Sequence, residues 1–129
     1  MKKYLILIPV YNDWTSLFEL LKNIDQEATS KNLQVSVMVI NDSSTEEMLE
    51  MNNKFFNLQS VKVLNLANNV GHCHAIATGL KYAHQNFDFD YIIPMDGDGE
   101  DRPEELKNFF DLVDSSSPEI ITANRVKRS

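Results

Sequence analysis

A three-layer α/β/α fold around a mostly parallel, doubly wound sheet is what this chain predicts. Five short apolar runs recur along its 129 residues. The stretches between them carry apolar residues at helical spacing, and a polar motif follows each of the first four runs. Strands that alternate with helices give a parallel sheet with right-handed crossovers. Such sheets bind ligands outside the carboxyl ends of their strands, which is where the polar motifs fall.

Tyr4–Ile8 is a continuous apolar run, as expected of a strand covered on both faces. Pro9 to Asp13 reads as a loop. Leu17, Leu20, Leu21 and Ile24 then recur at i, i+3, i+4 and i+7 and mark one face of a helix, with Asn12 or Asp13 as its cap. Val35–Ile40 is the second strand. Ser44 and Glu47 form a capping-box pattern that predicts a second, weaker helix carrying Met48, Leu49 and Phe55. Val61–Leu66 is the third strand, and Asn68, Asn69 and Gly71 make the turn after it. Ile76, Gly79, Leu80 and Ala83 mark the face of the next helix. Tyr91–Met95 is the fourth strand. Pro103 suits the first position of a helix, Glu104 and Glu105 suit its dipole, and Leu106, Phe109, Phe110 and Val113 form its apolar face. Glu119–Ala123 is the fifth strand.

Composition narrows the function. The chain is long enough for one domain with a real core and too short for two. Apolar residues make up 43% and charged residues 24%, an ordinary globular balance. The net charge of −7 argues against nucleic acid as the main partner, since a phosphate backbone demands a basic face. One cysteine, Cys73, excludes an internal disulfide and a cysteine-based zinc site, and it fits a reducing, cytoplasmic setting. A small residue half buried or buried is expected there, since no general base stands beside it. No apolar run approaches the roughly 20 residues of a membrane span. The opening Met-Lys-Lys and its apolar run lack a cleavage site, and the run is read as a strand.

The most informative stretch is DYIIPMDGDGEDRPEE. An apolar strand ends abruptly in Asp96, Asp98, Glu100 and Asp101. Four carboxylates within six residues repel one another unless a cation sits among them. Mg²⁺ takes one or two carboxylates together with substrate phosphates. The bland alternative is a solvated acidic turn before a helix. Arg125, Lys127 and Arg128 give the C-terminus the opposite sign, suited to an anion or to a solvated tail.

Taken in order, ILIPVYND, VINDSS, NNVGHCHAIATGL and DYIIPMDGDGEDRPEEL resemble family 2 glycosyltransferases, the GT-A-fold enzymes that use nucleotide-activated sugars. The GHxxAI pattern, His72 to Ile76, is most similar to the branch that serves polyprenyl phosphates, such as dolichol-phosphate mannose synthases and bactoprenol glucosyltransferases. The resemblance implies that Pro9, Val10, Tyr11 and Asp13 form a nucleotide loop; the alternative for Tyr11 is inward packing. It implies that Asp42 binds base or ribose, with Asn41 standing for the family's first acid and Ser43 for its glycine; an N-cap is the alternative for Asp42. Asn69 and Gly71 match a turn near the diphosphate, ahead of a helix whose N-terminus suits an anion.

Asp96 and Asp98 match the D-x-D signature and carry the catalytic assignment, with Glu100 as a further ligand of Mg²⁺ or Mn²⁺ and Asp96 also reaching the nucleotide. Arg125 and Arg128 match a segment implicated in phosphate contact. His72 and His74 are of a type that can bind a metal, but His74 is not expected to do so, because oxygens suit Mg²⁺ or Mn²⁺ better.

The implied activity is inverting, metal-dependent transfer from a UDP- or GDP-sugar to an acceptor such as a lipid phosphate, at the cytoplasmic face of a membrane. Family members continue past residue 129, so residues 1–129 are expected to be a single nucleotide-sugar-binding domain without the acceptor part. A non-catalytic nucleotide- or metal-binding module, or a subunit that works with a partner chain or as a homo-oligomer, is the alternative. A phosphoacceptor signalling domain would need an acidic pair after the first strand, where PVYND has a single acid. A sugar nucleotidyltransferase would need a glycine-rich loop there.

Overall fold

A computed structural model of the protein describes residues 2–28, 33–48, 55 and 57–95. They form four parallel strands and two helices: β1 (Lys2–Val10), α1 (Trp14–Glu27), β2 (Leu33–Asn41), β3 (Leu58–Asn65), α2 (His72–Asn86) and β4 (Tyr91–Pro94). The sheet order is β3-β2-β1-β4. β1 pairs with β2 from Lys2↔Leu33 to Val10↔Asn41 and with β4 from Tyr4↔Tyr91 to Leu7↔Pro94. β2 pairs with β3, with an irregularity at Val35/Ser36. The chain builds leftward from β1 to β3 and then crosses to β4 on the other side of β1. The order therefore reverses between β1 and β4, the switch point at which open α/β sheets form their ligand crevice.

The uninterrupted apolar sequence of β1 follows from its central place, since both of its faces are covered. Alternate side chains point to opposite faces. Tyr4, Ile6, Ile8 and Val10 pack with Trp14, Leu17, Leu20, Leu21 and Ile24 of α1. Leu5 and Leu7 pack with Met38 and Ile40 of β2 and with Ala75 and Ala83 of α2. At the amino ends of the strands, the Lys3 amide donates to Asp90 Oδ2 at 2.8 Å and its ammonium donates to Asp88 Oδ2 at 2.7 Å. Asp90 N–H returns a bond to Lys3 O at 2.8 Å. The start of β1 is thereby pinned to the loop that enters β4. Among the described residues no helix is long and apolar enough to cross a membrane.

Several expectations need correction. Pro9 and Val10 belong to β1 and not to a loop, and both are buried. Proline is tolerated because pairing with β4 has run out at Leu7↔Pro94, so no ladder bond of that pair is lost. No helix starts at Ser44, since residues 42–48 are irregular. Ser44 Oγ accepts from Asn12 N–H at 2.9 Å, so its hydroxyl is spent across the sheet edge and not on a capping box.

The buried face of α2 is Ala75, Gly79 and Ala83: Gly79 and Ala83 lie on the face that the periodicity marks, and Ala75 stands there in place of Ile76 and Leu80. Ile76 is half-buried and Leu80 is exposed. Small residues face the sheet because α2 lies close to it: a Cβ added at Gly79 would overlap Ile40 Cδ1 and lie 3.0 Å from Ile40 Cγ1. The fourth helix and fifth strand expected beyond Pro103, and Leu49 of the second helix, lie outside the described residues.

Candidate functional site

Three polar loops meet at the carboxyl edge of β1, β2 and β3, and side-chain amides hold them together. The first follows β1. Tyr11 is 49% exposed, so its ring stands in solvent and does not pack inward. Asp13 is the residue that caps α1, its Oδ1 accepting from Ser16 N–H at 3.4 Å. Asn12 has a left-handed backbone, φ 65°, a region that asparagine tolerates better than most residues. That turn aims its side chain at the loop after β2. Asn12 Oδ1 accepts from Thr45 N–H at 2.8 Å and Glu46 N–H at 2.9 Å, and Asn12 Nδ2 donates to Thr45 Oγ1 at 3.0 Å. The indole of buried Trp14 donates to Glu46 O at 3.0 Å. Loop one and loop two thus form one unit.

The second loop follows β2. Asn41 Oδ1 accepts from Ser44 N–H at 3.0 Å, and Asn41 Nδ2 donates to Asn65 Oδ1 at 2.9 Å. An amide supplies both an acceptor and a donor where a carboxylate supplies acceptors only, which gives a physical reason for Asn41 at this point. Ser43 takes a left-handed turn, φ 57°. Asp42 N–H donates to Val10 O at 2.9 Å, and its side chain is 4% exposed.

The third loop follows β3 and leads into α2. Its donors converge on Asp42. Val70 N–H donates to Asp42 Oδ1 at 2.8 Å, Gly71 N–H donates to Asp42 Oδ2 at 3.0 Å, and Asn69 Nδ2 donates to Oδ2 at 3.2 Å and to the Asp42 carbonyl at 3.1 Å. Asp42 therefore does not cap a helix of its own. Its carboxylate lies beside the amino end of α2, where a negative charge is favoured. Gly71 precedes α2 with φ 87°, a conformation that a side chain would strain.

Pro9, Val10, Tyr11, Asp13, Asp42, Asn69 and Gly71 thus lie on one edge, together with Asn12, Asn41, Ser44 and Thr45, whose joining role the sequence did not single out. His72, Cys73 and His74 are all exposed on the first turn of α2. The burial expected of Cys73 is not found, because the helix turns Ala75 to the sheet in its place. At the switch point, Met95 N–H donates to Leu7 O at 2.8 Å, which carries the chain alongside β1. The acidic residues Asp96, Asp98 and Glu100 follow in sequence and, like Arg125 and Arg128, lie outside the described residues. Among the described residues no group of three or more His, Cys, Asp or Glu is placed to hold a metal ion.

Comparison with known proteins bears on this edge. The family model "Glycosyl transferase family 2" matches residues 5–129. The undecaprenyl-phosphate 4-deoxy-4-formamido-L-arabinose transferase of Klebsiella pneumoniae (strain 342) is 29% identical over 116 residues, which cover 88% of this chain and 34% of that protein. The uncharacterized glycosyltransferase YkcC of Bacillus subtilis (strain 168) is 26% identical over 127 residues, 98% of this chain and 38% of that one. Among solved structures, S. aureus TarS 1-349 in complex with UDP-GlcNAc superposes with a TM-score of 0.69 at 26% identity, covering 91% of this chain and 32% of that one. The chain spans about a third of the length of each of these relatives.

Proposed function

The chain belongs to glycosyl transferase family 2, and from that membership we propose that it is the donor-binding part of a GT-A glycosyltransferase. It holds a nucleoside-diphosphate sugar at the carboxyl edge of the sheet. The observation that carries this reading is the family match across residues 5–129, which takes in every loop of that edge. The UDP-GlcNAc complex of TarS supports a UDP-sugar as donor. In this reading the end of β1 and the exposed Tyr11 ring face the base, and the Asn69–Gly71 turn lies toward the diphosphate. Arg125 and Arg128 supply further phosphate contacts.

Asp96, Asp98 and Glu100 would hold Mg²⁺ or Mn²⁺. Their carboxylate oxygens are the hard donors those ions take. When bound, such an ion neutralises charge on a departing diphosphate. Val70 and Gly71 amides at the head of α2 already serve Asp42, so they are not spare donors for a diphosphate.

A lipid phosphate is the acceptor that the Klebsiella relative's activity supports. A phosphate monoester has a second pKa of about 6 and is already an anionic nucleophile at neutral pH. Its oxygen would attack the anomeric carbon as the bond from that carbon to the diphosphate oxygen breaks, inverting the centre in one displacement. No proton need be removed by the protein. What the protein must supply is placement of the two reactants. A lipid acceptor sets this work at a membrane face, and the exposed thiol of Cys73 suits the reducing, cytoplasmic side.

Calorimetric titration of the chain with UDP and GDP, with and without Mn²⁺, tests the proposal beside Asp98→Ala and Tyr11→Ala. One nucleotide should bind, more tightly with Mn²⁺, and Asp98→Ala should abolish the metal dependence. Tyr11→Ala should weaken binding by about 1–3 kcal/mol, the range of base–aromatic stacking. A folded chain that binds neither nucleotide overturns the donor-site reading.

A further inference from the structure

We propose that Asn12 is a positioning residue for the donor: by clamping the loop after β1 to the loop after β2, it holds the Tyr11 ring where the base stacks. The inference rests on the donor-site reading, which gives Tyr11 to the base, and it assigns a role to the residue that follows. Tyr11 is 49% exposed, so packing fixes its ring only in part. A ring that must be ordered on binding costs affinity, and one already held in place does not.

Tyr11 is held from both sides. Before it, Val10 is buried at the end of β1, and its carbonyl accepts from Asp42 N–H at 2.9 Å. After it comes Asn12, at φ 65°. The Asn12 backbone N–H donates to Ser44 Oγ at 2.9 Å. Its Oδ1 accepts from Thr45 N–H at 2.8 Å and Glu46 N–H at 2.9 Å, and its Nδ2 donates to Thr45 Oγ1 at 3.0 Å. One side-chain amide thus serves two successive backbone donors in an irregular segment, where no helix or strand partner serves them. That segment is braced in turn: Asn41 Oδ1 accepts from Ser44 N–H at 3.0 Å, and the Trp14 indole donates to Glu46 O at 3.0 Å. The clamp therefore rests on the end of β2 and the start of α1. Few residues suit position 12. It needs a left-handed backbone, which asparagine, aspartate and glycine reach most readily, and a short side chain that ends in an acceptor. Asparagine and aspartate meet both needs, and glycine meets only the first.

Calorimetry with UDP and with GDP, each with Mn²⁺, tests this on the wild type, Asn12→Gly, Asn12→Asp, Tyr11→Ala and the pair Asn12→Gly with Tyr11→Ala. Exchange protection of the Thr45 and Glu46 amides is followed by NMR in each. Asn12→Gly keeps the backbone turn and removes the side-chain clamp. It should strip both amides of protection and weaken nucleotide binding about fivefold or more, up to the loss that Tyr11→Ala brings. In the Tyr11→Ala background the same substitution should add little, because a residue that acts through Tyr11 has nothing left to position. Asn12→Asp keeps the acceptor oxygens, so both amides should stay protected and affinity should stay within about threefold of the wild type. If Asn12→Gly fails to fold, Ser44→Ala removes the bond from the Asn12 N–H alone and should weaken binding about twofold or more, again only where Tyr11 is present.

An Asn12→Gly chain that loses amide protection and still binds nucleotide as the wild type does overturns the positioning role and leaves the donor site standing. Equal losses with and without Tyr11 do the same. A wild type that binds neither nucleotide while its Thr45 and Glu46 amides stay protected overturns the donor site, and the positioning role with it.

Discussion

Gly79→Ala sets two physical effects of known sign against each other. Alanine is favoured over glycine inside a helix by about 1 kcal/mol, and Gly79 sits in the interior of α2, so propensity alone predicts stabilisation. The structure predicts the reverse. The new methyl would overlap Ile40 Cδ1, lie 3.0 Å from Ile40 Cγ1 and sit 3.5 Å from Met38 Cε. Ile40 is 0% exposed and Met38 1%, so neither has room to swing aside. Overpacking of a filled core costs about 1–3 kcal/mol. The net expectation is a loss of up to about 2 kcal/mol, made up of that cost less the propensity gain.

Urea unfolding followed by circular dichroism reads this directly, provided the slope is unchanged. Ala77→Gly, on the exposed side of the same helix, calibrates the propensity alone and should cost about 1 kcal/mol. Ile40→Val removes the overlapping atom. It should cost about 0.5–1.5 kcal/mol in the wild type and little or nothing in the Gly79→Ala background, a coupling that only the contact explains. A Gly79→Ala chain more stable than the wild type by the full propensity gain would refute the reasoning, since α2 would then have space that the structure denies it.

The joined loops yield two further expectations. Asn12→Gly keeps the left-handed backbone and removes the side-chain bonds to residues 45 and 46, whereas Asn12→Ala loses both; urea midpoints should fall in both, and further for alanine by about 1 kcal/mol. Ser43→Gly relieves the φ of 57° and should raise stability by up to about 1 kcal/mol, read by the same assay; a loss would mean that the Ser43 side chain matters more than its backbone.

The pKa of Lys3 is raised above its ordinary 10.5, first by its hydrogen bond to Asp88 and then by the Asp88 charge, with desolvation opposing and the Asp90 charge adding least. A raised pKa in the folded state favours folding below the unfolded pKa, and that contribution is lost as pH climbs through the folded one. The melting-temperature gap between wild type and Asp88→Asn should therefore be constant at neutral pH and close above pH 10.5.

The fold was legible because its signals repeat. An apolar run of buried strand and an apolar stripe at helical spacing are each written several residues at a time, so β1, β2, β3 and β4 are all legible: β1 and β2 extend one or two residues past each expected end, β3 begins three residues earlier, and β3 and β4 each stop one residue sooner. Strand ends carry less signal: Pro9 looks like a breaker, and it is tolerated only because β4 stops pairing before it, a fact of the neighbouring strand. Ile76 and Leu80 are expected on the inward face of α2 beside Gly79 and Ala83, but close approach to Ile40 brings Ala75 there in their place, and smallness leaves no hydrophobic mark.

The site was legible in its composition and not in its wiring. Asp42, Asn69 and Gly71 could be named from motif and resemblance, since an acid after one strand and a glycine turn after the next both stand out locally. What joins them is bonding across 27 to 29 positions, and Asn12 reaches across 33 and 34. Such bonds have no period and no fixed spacing. An asparagine that caps a helix and one that clamps a distant loop read alike until the strands are set side by side. The choice between a capping box at Ser44 and a bond to Asn12 was decided by register: once Val10 pairs with Asn41, the residues just past each strand end are neighbours. A donor on one and an acceptor on the other then close sooner than a first helical turn, whose nucleus must fix three residues for one bond.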